Sequence, residues 1–533
     1  MSAPITKHSL RYDEVRQHLL ARSEILLADV REEDPFAQGH PLWAANFPIA
    51  RLELDAWRRI PQRDMLIVLY GHDGIRDLAP IAVEKLKSLG YTNVHILEGG
   101  LEAWKADGGE LFIDVNVPSK SFGELVEAKR HTPLWDATKV KALLDEGANA
   151  VVFDARRFDE YQTMSIPKGI NVPGGELVLR ARDLAPDPET LVIVNCAGRT
   201  RSIIGTQSLI NAGIPNKVVG LRNGTIGWTL AGQTLEQGAS RSFAEVEARD
   251  RSEAQKSAAA VAARAGVRSI ALSDIGSLQT PDRTTYLIDV RTEPEYLEGH
   301  LPGFMHVPGG QLVQETDHYA PVRGARIVLS DDETTRANMA ASWLAQMGWE
   351  VYVVEQAPSD AFSEQGSFKS ISPEVEPTPT ICVRDLSSAI SNPNSDIVVL
   401  DFTTSANYLK GHIPGAWLAL RSQLPEAIKR VPPAKTYVVT CGTSALAIYA
   451  AVDLKKLVDV PVLVLEGGNA AWKAAGQILE TDESHLASPR IDRYRRPYEG
   501  TDAPVEAMQA YLDWEYGLVA QLDRDGTHFF NVI

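Results

Sequence analysis

A chain of 533 residues is too long for one ordinary hydrophobic core and calls for several domains. Hydrophobic residues at 44% and charged residues at 23% exclude wholesale disorder and a fibrous repeat. A net charge of −17, from 53 Lys+Arg against 70 Asp+Glu, argues against a nucleic-acid partner and makes any anion site local. Cys196, Cys382 and Cys441 are too few and too scattered for a disulfide framework or a Cys-rich zinc site, so a reducing compartment is expected. The opening MSAPITKHSL lacks an apolar core of signal-peptide length, and no stretch approaches the roughly 18 apolar residues of a membrane span. The expectation is a cytoplasmic chain with no membrane partner.

In chain order, four apolar runs end in an acid: ILLADVRE at Asp29, VVFDARR at Asp154, YLIDVRT at Asp289 and IVVLDFT at Asp401. Each reads as a buried strand. A second apolar run follows each and breaks into a polar loop at Gly71, Cys196, Asp331 and Cys441, at offsets of 42, 42, 42 and 40 residues from the acid. Beyond each loop a Val-rich run leads into EGGLEAWKADG, RNGTIGWTLAG, a degenerate YVVEQAPSDAF, and EGGNAAWKAAG. Strand-length runs alternating with amphipathic segments predict parallel strands with crossover helices. The register predicts four copies of one small α/β domain.

The expected boundaries are 1–115, 122–238, 267–368 and 378–484, with a helical linker at 239–266 and a C-terminal extension at 485–533. Ser242 and Glu245 are spaced as a capping box for that linker. SISPEVEPTPT, between the third and fourth copies, is expected to be extended. In the extension Met508, Tyr511, Leu512, Leu518, Val519 and Leu522 recur at helical spacing, which predicts a helical tail docked on a neighbouring domain.

The second loop, Asn195-Cys196-Ala197-Gly198-Arg199-Thr200-Arg201-Ser202, stands between a buried strand and an amphipathic helix. Backbone NH groups and the helix dipole there favour an anion, and with Arg199 and Arg201 they are expected to lower the Cys196 thiol pKa. The loop, the Asp-x-Arg strand ends (Asp29-Val30-Arg31, Asp154-Ala155-Arg156, Asp289-Val290-Arg291), the Gly-His-x-Pro element and the Gly-Gly-x-x-x-Trp element together resemble the rhodanese family of sulfurtransferases over roughly residues 10 to 480.

The resemblance implies a five-stranded parallel sheet per domain, Cys196 as a nucleophile carrying sulfane sulfur, and Ala197, Gly198, Arg199, Thr200 and Arg201 as the cradle of the substrate anion. It implies thiosulfate-type sulfur transfer to cyanide or a thiol, with no metal or organic cofactor. Two other readings stay open: a sulfur carrier that docks a protein acceptor, and a phosphatase-like or arsenate-reducing enzyme. Loops of the last class resemble Cys-x5-Arg; the spacing from Cys196 to Arg201 is one residue shorter and makes a tighter cradle.

The first and third copies, with Gly71 and Asp331 in place of the thiol, read as scaffold domains, although Arg76 and Arg336 stand where the second copy has Arg201. The fourth offers a possible second site at Cys441, Gly442, Thr443 and Ser444, with Leu446 in place of the arginine. Asp154 and Arg156 read as a fold-stabilising pair because Asp29 and Arg31 repeat them in a copy without cysteine. His40, His300 and His412 are missing from the second copy and so are not catalytic bases. Trp104, Trp228 and Trp472 read as packing residues.

Overall fold

The computed structural model describes residues 9–244 and 248–533. Four five-stranded sheets follow one another along the chain, each with its strands in the order first, fifth, fourth, second, third. The pairings are parallel, and in every sheet the acid-terminated strand lies beside the strand that leads into the loop. Asp29 pairs with Tyr70, Asp154 with Asn195, Asp289 with Ser330 and Asp401 with Thr440. The near-constant offset in the sequence is this register, because the residue after each partner opens the loop.

The repeated pair after each strand also has a structural basis. Arg31, Arg156 and Arg291 each reach back to the aspartate two residues earlier, at 2.5, 2.7 and 2.7 Å. Each also donates to a backbone carbonyl eight residues on, Gly39, Met164 or Gly299. Trp104, Trp228 and Trp472 are buried, and each indole N–H donates to a carbonyl six residues later.

Five helices position the site: α1 (Val117–Arg130), α2 (Thr200–Asn211), α3 (Ala248–Arg264), α4 (Thr335–Gln346) and α5 (Val505–Asp525). The sequence reading has no place for α1, a 14-residue helix that straddles the boundary set at residue 122. Helix α3 is the expected linker helix and packs on α4 and on Leu177–Leu184. Of its suggested capping box, Glu245 lies outside the described residues. The third copy ends in a short turn, Ser359–Ala361, where the others have the helices Gly100–Ala106, Gly224–Leu230 and Gly468–Ala474.

The first three copies are fused through their cores. One hydrophobic cluster runs from Leu26, Leu69 and Tyr91 through Phe122 and Ile203 to Tyr286 and Leu344. Tyr286 donates its hydroxyl to the Arg59 carbonyl at 2.8 Å, and the Trp343 indole donates to Ser208 Oγ at 2.9 Å. The fourth copy is tied to the first by Arg421 and Glu53, 2.6 Å apart. Helix α5 then crosses back from the fourth copy: Leu518 and Leu522 enter the first copy's core, while Met508, Tyr511 and Leu512 pack on Ala197 and Ile226 of the second. Among the described residues no helix is long and apolar enough to cross a membrane.

Candidate active site

The strand Leu191–Asn195 delivers Cys196 to the end of the sheet, and α2 starts only four residues later at Thr200. The loop is held from below by the Gly-Gly element. Thr225 N–H donates to the Cys196 carbonyl at 2.9 Å, and Ile226 N–H donates to the Ala197 carbonyl at 3.0 Å. That approach requires glycine at 224, whose φ is +53° and whose Cβ would stand 2.3 Å from the Cys196 oxygen. Gly468 holds the same relation to Cys441, again at 2.3 Å.

The loop is also covered from above. A Cβ on Gly198 would lie 3.1 Å from Tyr511 Cε1 and 3.4 Å from Glu515 Oε2, both on α5. Cys196 is consequently only 2% exposed. Burial pushes its thiol up from the ordinary value; Arg201 and hydrogen bonds from Ser202 pull it down, and Glu515 adds to the rise. The net shift is upward. This corrects the expectation of a lowered thiol pKa, which counted the cations in the loop without the helix that seals it.

The two loop arginines part company. Arg199 places Nε and Nη2 on the two oxygens of Glu124, each at 2.7 Å, and Nη2 also meets Glu127. Its Nη1 donates to Asn223 Oδ1 at 3.1 Å and to the Tyr516 hydroxyl at 3.0 Å, with the Tyr516 ring stacked 4.1 Å from the guanidinium carbon. A guanidinium has five N–H donors, and these contacts engage all of them. The side chain of Arg199 is therefore a clamp joining α1, α2 and α5, and only its backbone remains for an anion.

Arg201 makes a two-pronged pair with Glu160, at 2.6 and 3.1 Å, which leaves three of its N–H donors over. Burial alone would raise the Glu160 carboxyl, but Arg201 and Arg156 hold it at about 2. Arg201 also lies on the wall of a cavity of about 720 Å³ where all four copies and the C-terminal extension meet. Arg156, Arg157 and Arg59 share that wall with Lys410, Arg496 and Tyr498. Its volume falls in the range of small-molecule sites.

The remaining loops differ. In the third copy Asp331 accepts the Arg336 amide at 2.7 Å and its Nε at 3.1 Å, while Arg336 also meets Asp332, Glu176 and Glu295. An internal carboxylate thus occupies the helix start, and the arginine is saturated with acids. In the first copy Arg76 is turned to the Ser422 carbonyl of the fourth. In the fourth copy the helix Ala447–Lys455 begins six residues after Cys441, against four after Cys196, and Gly442 and Thr443 are exposed. Ser444, at φ +71°, donates its hydroxyl to the Leu465 carbonyl at 2.5 Å and so is withdrawn from the loop centre. Glu124, Glu127, Ser202, Tyr511, Glu515 and Tyr516 were not picked out from the sequence as site residues. Ser202 stands in the loop octet, and in the tail the helical recurrence that includes Tyr511 pointed to docking without naming what it covers.

A family model described as the Rhodanese-like domain matches residues 12–107, 136–231, 273–357 and 383–475. The chain belongs to the rhodanese family. A crystal structure described as thiosulfate sulfurtransferase from Pseudomonas aeruginosa is 60% identical, covers 98% of this chain and 99% of its own, and superposes with a TM-score of 0.96. A curated relative, thiosulfate sulfurtransferase GlpE of Coxiella burnetii, is 28% identical over 88 residues, which are 16% of this chain and 78% of that protein. The rhodanese reading of the four copies holds, and with a match over almost the whole chain the protein is a sulfurtransferase.

Proposed function

We propose that the protein moves sulfane sulfur from thiosulfate, or a donor of the same anionic kind, to cyanide or a thiol through a persulfide on Cys196. The observation that carries the reading is that the one thiol set at a tight strand-to-helix turn has Arg201 beside it with unused donors, while the equivalent positions of the first and third copies have no thiol. The Cys196 thiolate attacks the outer sulfur of thiosulfate, the sulfur–sulfur bond of the donor breaks, and sulfite leaves with the bonding pair. An acceptor nucleophile then attacks the outer persulfide sulfur and releases the Cys196 thiolate. Arg201 and the amides of Ala197 to Arg201 hold the anion, and Ser202 supports the thiolate.

The deciding experiment is incubation of purified protein with thiosulfate, intact mass for the gain of one sulfur, and peptide mapping of its position. Cys196→Ser is expected to lose both the gain and transfer to cyanide, and Cys441→Ser to keep both. Sulfur gain and transfer by Cys196→Ser would overturn the reading. The cavity of about 720 Å³ beside Arg201 supports a small-molecule donor and acceptor over a docked protein acceptor.

A further inference from the structure

Away from the sulfur-transfer loop, the fourth copy contains a histidine with one ring nitrogen left over. His412 is fully buried and lies flat on Tyr408, with centroids 3.7 Å apart and planes at 2°. Its Nδ1 is 2.9 Å from the Tyr408 carbonyl. A carbonyl can only accept, so Nδ1 carries a proton, and in the neutral ring Nε2 presents a lone pair. That Nε2 is buried and has no hydrogen-bond partner.

Facing it are Glu480 and Asp482, and one ligand atom from each of the three residues lies within 4.8 Å of the other two. Each carboxylate is already steadied on one oxygen: Glu480 Oε2 accepts the Gly415 amide, and Asp482 Oδ1 accepts the Ser484 amide, both at 2.9 Å. The other oxygen of each remains. A buried ring nitrogen without a partner thus stands within 4.8 Å of two carboxylates, an arrangement that a cation completes.

The internal repeat provides a control. One recurrent bridge sets His40 against Phe112, Ser165 against Glu236, His300 against Glu364 and His412 against Glu480. Two residues beyond these partners stand Asp114, Gly238, Gly366 and Asp482. Only the fourth copy combines histidine, glutamate and aspartate. In the other copies with a histidine the set is incomplete: His40 Nε2 lies 3.0 Å from the Asp114 carbonyl, and His300 faces one carboxylate, Glu364 at 3.6 Å, with Gly366 where the fourth copy has Asp482.

We propose that His412, Glu480 and Asp482 form a mononuclear site for a divalent transition-metal ion of the zinc class. One imidazole and two carboxylates are three protein ligands of a tetrahedral ion, with water in the fourth position. The ion would clip the Gly411–Gly415 turn to the segment that follows the Trp472 helix.

The test is titration of the full-length chain with Zn²⁺ against a chromogenic chelator, and with Co²⁺ for its visible spectrum. One ion per chain is expected, with a four-coordinate Co²⁺ spectrum lacking thiolate charge transfer. Binding should persist when Cys196, Cys382 and Cys441 are all serine. Glu480→Gln combined with Asp482→Asn changes only solvent-reaching side chains and is expected to keep the fold while weakening binding at least tenfold; His412→Gln is expected to do the same. The proposal is overturned if the parent binds no Zn²⁺, if the cysteine-free chain loses binding, or if the Glu480/Asp482 double variant binds as the parent does.

Discussion

Arg199 and Glu124 form a two-pronged ion pair, 2.7 Å on each side, that joins the start of the helix behind the cysteine loop to the helix linking the first two domains. Arg199 is 2% exposed, and Tyr516 of the C-terminal helix closes over it. The loop is thus braced from outside its own domain, by segments more than 70 residues before it and 300 after it in sequence.

Arg199 and Arg201 should fail in different ways when replaced. Arg199→Ala strands the buried carboxylate of Glu124 and the half-buried one of Glu127, and is expected to destabilise the protein by about 3–5 kcal/mol, read in denaturant titration. Arg201→Gln is expected to cost stability as well, though less, because Arg156 still faces the Glu160 carboxylate it leaves behind, and to lower kcat/KM for thiosulfate by roughly 10- to 150-fold, the value of about 1.5–3 kcal/mol for a charge-assisted hydrogen bond.

Cys196 should ionise above the ordinary thiol range of about 8.5, because burial outweighs Arg201 and Ser202. Thiolate absorbance, taken as the difference between parent and Cys196→Ser across pH, is expected to rise on the alkaline side of that value. In Arg201→Gln the rise should move further up, since the cation that favours the thiolate is gone.

Glu515 gives stability a pH dependence of definite sign. Burial first, and then Glu124, raise its carboxyl to about 8, and Oε2 has no partner. The folded state therefore holds a proton that the unfolded chain releases near the ordinary glutamate value of about 4.3. Below that value Glu515 is neutral in both states and contributes nothing; as pH rises towards 8 it increasingly favours unfolding. Glu515→Gln is expected to melt higher than the parent at pH 8 and level with it near pH 4, read by thermal unfolding at matched ionic strength.

Gly224→Ala should disable the loop from beneath. Its Cβ would stand 2.3 Å from the Cys196 oxygen at φ +53°, so the carbonyl must move. The backbone strain alone is about 1–3 kcal/mol. Sulfur loading of Cys196 is expected to be lost while the other three domains remain folded, visible as a sulfur-free mass with a largely intact circular dichroism spectrum.

The sequence by itself determined the repeat and which copies carry a loop cysteine. Parallel strands buried on both faces must be continuous apolar runs, and the Asp154–Asn195 register turns their spacing into a constant that can be counted. Gly-Gly-x-x-x-Trp was legible because Gly224 and Trp228 each satisfy a local steric demand. What only the tertiary structure decided was which charges are free. Arg199 and Arg201 are two residues apart in one loop, yet Glu124, Glu127 and Tyr516 consume the first, while a single glutamate leaves donors on the second. The upward shift of the thiol has the same origin, burial beneath Tyr511 and Glu515 arriving from the far end of the chain. Burial and ion pairing are properties of the surfaces that meet, and no local spacing encodes which distant helix will cover a loop.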